Sequence, residues 1–600
     1  MTLGLAERQG DLLDDVIRFC DDVVPRSSVY ALLHRERDAL FPDEFFADLF
    51  SDRGRRSVPP SVVATVMVLQ RLEGLSDREA VEHYTFDARW RYAAGVGGYD
   101  SRGWGRFAHT VLVDMRARLA ASGDPKRVFR VSKEAASAAG LVGAKRVLDS
   151  TPLYDAVATM DTITLIRSAI RSLLRVADVE LEAELRAGLG SGDDYATTAK
   201  PQIDWDDASA RDELIDSRAR DAFACLAVLD GRELDAEVAE AAELLATVVG
   251  QDLEETDDGT FRIARRVAKD RVISTVDPEA RHGHKTAARG FDGYKGHVAM
   301  DPDSEIITDT VVTPGNAGDA SVAADLIDDV VGDSDDDEVT PQAHSADDNS
   351  GNATAPPPRR RRGGGGGGAK RARATGNKNK AASAARRRRA EARRAKLARR
   401  DRAASKARTS TGRPTVYGDA AYGTGEFLDR LADTGIDSRC KTQPPTAAGG
   451  LFAKDRFTID LDADTVTCPN NITVTIRRGR DGDGIACFAD TCADCPLRAE
   501  CTNASGGRTI RVGRYEHRLA EARREQRNPE WVNDYRSTRP KVERKLGHMM
   551  RRKHGGRRAR VRGRHKVDAD FNLLAGALNL ARLAVLGLRL TTTGWAVATP

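Results

Sequence analysis

Lys145-Arg-Val-Leu-Asp149-Ser-Thr151 is a short apolar run that ends on an acid, and Thr415-Val-Tyr-Gly-Asp419-Ala-Ala-Tyr-Gly423 repeats the pattern, its acid 270 residues after the first. Each predicts a buried strand closed by a carboxylate. Between them, Gly293-Tyr-Lys-Gly-His-Val-Ala-Met300 and Ile306-Ile-Thr-Asp-Thr-Val-Val312 flank a turn at Asp301-Pro-Asp-Ser304 and predict a hairpin. Strands this scattered, with helical stretches between them, give an α/β chain in which one sheet is interrupted by insertions. At about 150 residues per domain, 600 residues is a length for roughly four domains, or fewer with large insertions.

The remaining segments read mostly as helix. Ser61 to Leu72 follows Pro59 and Pro60, which suit a helix start, and Gly74 ends it. Ser76-Asp-Arg-Glu79 has capping-box spacing and opens a second helix, so residues 1–135 read as helical, with a pair that is either a DNA-binding helix-turn-helix or a plain α-hairpin. Tyr84, Phe86, Trp90 and Tyr92 are its expected core. Asp161-Thr-Ile-Thr caps an amphipathic helix from Leu165 to about Leu189, and helix continues through about Val267. A sheet domain is therefore expected over 140–329, with a helical insertion at about 160–270, and resumes over 412–590 with a Cys-rich insertion at about 440–535. Helix is expected again from Gly425 and from Val542 to about Arg552. Leu573 to Leu588 is broken by Asn579 and Arg582 and falls short of the ~20 residues of a membrane span. It reads as a buried or partner-facing helix. The acidic Asp11, Asp14 and Asp15 stand where an export signal would be apolar, so a non-exported, cytoplasmic chain is expected.

The net charge of +3, from 94 basic and 91 acidic residues, hides blocks of opposite sign. Asp325 to Glu338 is acid-rich. Arg359 to Arg408 carries 21 Lys or Arg against Glu391 and Asp401 alone. Too little apolar area is present there to offset chain entropy, so 330–411 reads as a disordered linker, acidic and then basic. Gly363 to Gly368 lacks the Lys-Ser/Thr of a phosphate loop. Arg536 to Lys566 is a second basic block, with 14 Lys or Arg and one acid, Glu543. Two such blocks point to a polyanion, and nucleic acid is the commonest.

Asp149, Asp419 and Glu543 stand out, separated by 270 and 124 residues. Singly, each Asp reads as a turn or cap residue and Glu543 as an ion-pair partner of Arg539 or Arg544. Together, three carboxylates can hold Mg²⁺, and two such ions about 3.5 to 4 Å apart do phosphodiester chemistry. Five cysteines, Cys468, Cys487, Cys492, Cys495 and Cys501, fall within 34 residues. Cys492-x2-Cys495 with Cys501 and Cys468 can supply four thiolates to a structural Zn²⁺, with Cys487 a rival for the distal place and free thiols or a redox pair the other reading. His282, His284 and His297 are expected to be hydrogen-bonded surface residues.

The chain resembles insertion-sequence transposases of the DDE class, through Leu75-Ser-Asp-Arg-Glu-Ala-Val81, Val147-Leu-Asp-Ser-Thr151, Asp161-Thr-Ile-Thr-Leu-Ile-Arg-Ser168, Ile203-Asp-Trp-Asp-Asp207, Phe291-Asp-Gly-Tyr-Lys-Gly-His297, Tyr417-Gly-Asp-Ala-Ala-Tyr-Gly423, Cys492-Ala-Asp-Cys-Pro-Leu-Arg-Ala-Glu-Cys501 and Arg539-Pro-Lys-Val-Glu-Arg544. The resemblance implies an RNase H-like mixed sheet flanked by helices. It makes Asp149, Asp419 and Glu543 the catalytic acids, holding two Mg²⁺ or Mn²⁺ ions. It puts Arg539, Arg544 and Lys545 on the phosphate side, and Arg551 and Arg552 of the same basic block also face DNA. Relatives carry Tyr, Arg and Lys around the glutamate. Arg539 fits, Tyr535 sits one residue further upstream, and Met550 stands in the Lys position. The implied reaction is hydrolysis at a transposon end followed by attack of the freed 3′-hydroxyl on target DNA, by a nucleoid-associated homo-oligomer on double-stranded DNA. A domesticated DNA-binding relative that does not cut, and an RNase H-like nuclease without strand transfer, are the alternatives.

Overall fold

A computed structural model describes residues 1–4, 15–51, 53–97, 105–155, 159–286, 288–331 and 413–597. Almost all of the expected linker, the Gly363 to Gly368 run and the first basic block lie outside the described residues. The amino-terminal helices are α1 (Asp15–Val23), α2 (Val29–Leu40), α3 (Pro60–Glu73), α4 (Asp77–Phe86), α5 (Ala88–Ala93), α6 (Thr110–Ala121) and α7 (Arg127–Ala138). Helix α3 starts on prolines and ends on Gly74, whose left-handed φ of 71° closes the C-terminus. The Ser76 and Glu79 side chains exchange the reciprocal capping-box bonds that open α4. Residues Pro60 to Arg71 are buried on every face of α3, as suits a helix apolar all round. The outward face of α4 carries Arg78, Glu79, Glu82 and Phe86. Tyr84, Trp90 and Tyr92 are core residues, but Phe86 is 71% exposed, because the helix turns it away from that core.

β1 (Lys145–Tyr154) begins the main sheet. The helical insertion follows as α8 (Thr162–Val176), α9 (Val179–Ala187), α10 (Ala208–Leu229) and α11 (Ala236–Asp252), around a core that includes Leu165, Ile170, Leu185, Tyr195 and Leu245. The single helix expected from Leu165 to Leu189 is two. Ala177 turns extended, and the Asp178 carboxylate accepts the Glu180 and Leu181 amides, restarting the helix. Helix also stops at Asp252 instead of Val267. There β2 (Leu253–Glu255) and β3 (Phe261–Ile263) pair across a turn in which Gly259 takes φ 78°.

β4 (Arg281–Thr286), β5 (Arg289–Met300) and β6 (Ile307–Pro314) form an antiparallel set, with β4 on the first part of β5 and β6 on the second. A short helix α12 (Ala323–Leu326) precedes β7 (Thr415–Gly418), α13 (Gly425–Asp433) and β8 (Asp437–Cys440). The order across the sheet is β6-β5-β1-β7-β8, with β1 antiparallel to β5 and parallel to β7, and β7 parallel to β8. This is a mixed sheet with helices on both faces. Leu148, Ala299, Val416 and Tyr422 pack on α12 and α13. Val147, Val298, Tyr417 and Met300 pack on the carboxyl-terminal helices.

Between β8 and those helices lie two small sheets, β9 (Thr458–Asp460), β10 (Thr465–Thr467) and β11 (Thr473–Thr475), then β12 (Arg477–Arg478), β13 (Gly484–Cys487) and β14 (Thr509–Val512). A four-residue helix α14 (Arg498–Cys501) stands between β13 and β14. The chain closes with α15 (Glu516–Glu525), α16 (Pro529–Thr538), α17 (Pro540–Met549), α18 (Arg564–Val585) and the hairpin β15 (Leu588–Thr591) and β16 (Gly594–Val597). Helix α18 is buried, and its Leu573, Ala577, Leu580, Leu583 and Ala584 complete the core of the amino-terminal helices. Among the described residues no helix is long and apolar enough to cross a membrane.

Candidate active site

Parallel pairing of Val147 with Tyr417 brings the two predicted acids level. Asp149 lies mid-strand in β1 and Asp419 immediately follows β7, where the strand has ended. The crossing is tight. A side chain at Gly418 would put its Cβ 2.8 Å from the Tyr422 Cβ and 3.0 Å from the Cys440 Sγ. Asp419 caps the turn beyond it, accepting the Ala421 amide at 3.0 Å. Glu543 comes from α17, which packs over the same end of β1.

Arg539 stands in the middle. Its Nη2 lies 2.9 Å from Asp149 Oδ1 and 3.8 Å from Asp419 Oδ2, and its Nη1 donates to Asp149 Oδ2 at 3.2 Å and lies 3.4 Å from Glu543 Oε1. Each pair of carboxylates that shares a nitrogen is therefore no further apart than the sum of two such distances. The Arg539 side chain is 6% exposed, against 14% for Asp149, 44% for Asp419 and 63% for Glu543. Burial pushes the Asp149 carboxyl up from its ordinary value, against the pull of Arg539. Burial also opposes charge on Arg539, but Asp149, by charge and hydrogen bond, and then Tyr535 and Asp419, hold the guanidinium above its usual value. Among the described residues the buried Arg539 Nε has no hydrogen-bond partner.

Tyr535, one residue off the expected spacing, is buried in a stack on Trp531 with ring centroids 5.1 Å apart. Burial pushes its phenol up to about 12, and the charges of Arg539, Asp419 and Glu543 all reach it. Met550 packs at the edge of the sheet's core.

Two expected phosphate contacts are placed elsewhere. Arg544 bonds Glu305 at the β5–β6 turn. Lys545 is buried on the far side of α17, near Glu305 and Arg582, and burial pushes its ammonium down to about 8. On a helix, neighbours in sequence cannot all face one site, and the approach of β6 and α18 takes these two. Arg551 and Arg552 are exposed, as are Lys553, Arg557 and Arg558. The Arg557 carbonyl accepts the Tyr154 amide and the Ala559 amide donates to the Tyr154 carbonyl, which sets this basic stretch against the end of β1.

A second polar cluster lies on the opposite face of the sheet. Ser150 Oγ donates to Asp319 at 2.6 Å, and Lys295 Nζ donates to Asp319 at 2.8 Å and to the Ala317 carbonyl. His297 is not a surface residue. It is fully buried and contacts Thr313 Oγ1 at 2.9 Å and Tyr422 OH at 3.4 Å, and burial pushes it down to about 4. Its register opposite Ser150 puts it on the inner face of β5. His282 and His284 are exposed, with His282 2.7 Å from Asp292. Asp319, Lys295 and Tyr422 were missed from sequence. The available signal, for Lys295 alone, was its alternation with His297 in the otherwise apolar stretch from Gly293 to Met300, which is unusual for buried positions.

In the Cys-rich segment, Cys468, Cys492, Cys495 and Cys501 line one cavity of about 20 Å³, and Cys487 does not. All five are free thiols, Cys487 exposed. The Arg508 amide donates to Cys492 Sγ at 3.4 Å. Burial, with the three other thiols, pushes the Cys501 thiol up. Among the described residues no group of three or more His, Cys, Asp or Glu stands close enough together to hold a metal ion as placed. At the acid site, the Arg539 guanidinium is what lies between the carboxylates. The donor set itself, three carboxylates and no soft ligand, suits a hard divalent cation.

Three family models match the chain. One described as a transposase domain covers residues 18–118, and two described as a transposase DDE domain cover 257–338 and 467–584. No curated protein and no solved structure matches it.

Proposed function

Because the chain belongs to the DDE-class insertion-sequence transposases, we propose that it cuts DNA at transposon ends and joins the freed 3′-hydroxyl to target DNA, with Asp149, Asp419 and Glu543 as the catalytic acids. The observation that carries this reading is the convergence of those three carboxylates on Arg539 from two strands and a helix. The strand order β6-β5-β1-β7-β8, with Asp149 on the central strand, supports an RNase H-like core. Asp149, Asp419 and Glu543 would hold two Mg²⁺ or Mn²⁺ ions, which activate an attacking oxygen and offset charge on the leaving oxygen when bound. The chain's own residues do the positioning. Asp149 is fixed by the Ser150 amide, which donates to its Oδ1 at 2.8 Å. Burial of Asp149 under α17 removes competing water and strengthens every charge interaction at that carboxylate. The exposed Arg551 and Arg552 seat the DNA backbone beside the strand end, and 1–135 contributes the remaining DNA contacts of a homo-oligomer.

The test is purified protein on end-bearing duplex in Mg²⁺, with strand transfer followed from 3′-hydroxyl ends. Wild type should nick and join, and Asp419→Asn should do neither while still binding DNA. Cleavage by Asp419→Asn at the wild-type rate would remove Asp419 from the site. Nicks without joined products would favour the nuclease, and binding without nicks the domesticated DNA-binding protein.

The cysteine segment supports a structural zinc lobe held by Cys468, Cys492, Cys495 and Cys501. The sharing of one cavity by those four thiols favours this set over any that includes Cys487. Native metal analysis should return one zinc per chain, kept in Cys487→Ser and lost in Cys468→Ser. A metal-free wild-type protein would leave four free thiols.

A further inference from the structure

We infer that the Arg539 guanidinium and the divalent cations are alternative countercharges for the same three carboxylates, so that the acid site takes up metal readily only when a nucleic-acid backbone phosphate draws Arg539 away. This rests on the DDE reading above and adds an order of binding to it.

The geometry is the argument. Arg539 does not line the rim of the acid cluster. Its two terminal nitrogens reach oxygens of all three carboxylates, its side chain is 6% exposed, and among the described residues its buried Nε has no partner. A hard divalent ion takes carboxylate oxygens at about 2.0 to 2.1 Å in a strict arrangement. Those oxygens now lie 2.9 to 3.8 Å from guanidinium nitrogens. An ion drawing them in would occupy the space of the guanidinium and face its positive charge at close range, with little screening on the buried Asp149 side. The two cannot share the site.

A phosphodiester offers Arg539 an exchange. Guanidinium matches phosphate through two parallel hydrogen bonds, and the exposed Arg551, Arg552, Lys553, Arg557 and Arg558, on the segment that follows α17, offer further countercharge along a bound backbone. Linkage then runs both ways. DNA tightens metal binding, and metal tightens DNA binding by the same factor. A chain away from DNA keeps its acids neutralised by its own arginine.

The experiment measures Mn²⁺ affinity of the full chain by electron paramagnetic resonance of free Mn²⁺, with and without a short random-sequence duplex, after subtracting the duplex alone. In wild type the duplex should tighten Mn²⁺ binding by roughly five- to 150-fold, the usual span of site-to-site coupling. Arg539→Gln should bind Mn²⁺ more tightly than wild type without DNA and gain little from it, and Arg539→Lys, which keeps the charge but not the fork, should fall between the two. A purely supporting arginine predicts the reverse, weaker Mn²⁺ binding in Arg539→Gln. That result, or a wild-type affinity indifferent to the duplex, overturns the inference, and the duplex arm decides alone if Arg539→Gln does not fold. Sodium sulfate at matched ionic strength is the free-anion arm, and a gain equal to that from DNA would overturn the assignment to a nucleic-acid backbone. Asp149→Asn separates the two levels. If it binds Mn²⁺ as wild type does, the acid-site reading itself fails. If it loses Mn²⁺ while Arg539→Gln is unchanged, only the exchange fails.

Discussion

The acid site and the cysteine lobe are assembled in opposite ways. Asp149, Asp419 and Glu543 are separated by 270 and 124 residues, and only sheet register and the packing of one helix bring them together. The five cysteines sit within 34 residues, on loops, a four-residue strand and single helical turns. The cores differ in the same sense. Asp149 and Asp419 are carried by a sheet packed on both faces by extensive apolar clusters, and Glu543 by a helix lying on it. The lobe has a small cluster built on Phe457, Val466, Ile476, Phe488, Ile510 and Val512, in which Cys492 and Cys501 are themselves members. The first site is a passenger on a scaffold that stands without it. In the second, the thiols are part of the scaffold, and small cores of that kind commonly need a staple.

The sharpest test of that difference is neutralising a central acid. Asp149→Asn should lower metal-dependent cleavage by about a thousandfold or more, since several kcal/mol of transition-state charge stabilisation are at stake. DNA should still be bound without metal, and the unfolding midpoint should fall by no more than a broken buried pair accounts for, about 3 kcal/mol, because Arg539 keeps Asp419 and Glu543. Single-turnover cleavage with a parallel binding titration measures both. A drop of less than about tenfold would make the acid a passenger without a task.

Removing metal from the lobe should do the converse. A chelator of soft divalent ions, or Cys495→Ser, should abolish hydrogen-exchange protection across the β13–β14 pairing while the β1–β5 ladder keeps its own. Loss of protection in both sheets at once would mean that the two regions fold as one unit.

The same contrast governs what could be read from the chain. The cysteine spacing is local, so the candidate ligands were visible at once, yet which of Cys468 and Cys487 lines the cavity is a matter of three-dimensional packing. Asp419 was legible as a strand end and Glu543 as a lone carboxylate in a basic run, whereas Asp149, expected to close its strand, lies in the middle of it because β1 continues along β5 to Tyr154. The meeting of the acids was not legible, because no local pattern encodes parallel pairing of β1 with β7. Helix α3 and the capping box were legible because Pro60, Gly74, Ser76 and Glu79 act on the backbone within one turn. The break at Asp178 was lost inside a continuing apolar period, which a short polar cap does not interrupt. Lys545 and His297 were misplaced for a common reason. Polar side chains read as exposed by default, and burial is decided by partners such as Glu305 and Thr313 that come from other elements.

A smaller effect is expected beneath the acid site. Asp319→Asn would leave Lys295 with one neutralising partner fewer in a site where Lys295 and Asp319 are 13% and 10% exposed. Breaking such a buried pair costs about 3 kcal/mol, seen as a lower denaturant midpoint. Asp319→Asn with an unchanged midpoint would show that water already screens the pair, and that the support of β1 comes from the apolar layers alone.

The smallest expected effect compares two buried cations on neighbouring turns. Arg539 gathers three carboxylates and stays above its usual value. Lys545 has Glu305, which also serves Arg544, and Arg582 opposes it, so burial prevails and its ammonium falls to about 8. In the unfolded chain a lysine titrates at about 10.4. Between those two values the unfolded state binds the proton that the folded state has released, so stability rises with pH across the window, and below about pH 8 the full cost of the buried charge is present. That cost is at most about 3 kcal/mol, from a little over two pKa units at 1.36 kcal/mol each. Lys545→Met should therefore stabilise the protein at pH 7 by about 1 to 3 kcal/mol, and the gain should shrink towards pH 10 as wild type sheds the same charge. Denaturant midpoints of both proteins at the two pH values measure it. A gap that is equal at pH 7 and pH 10 would assign the gain to packing by the methionine and not to relief of a buried charge.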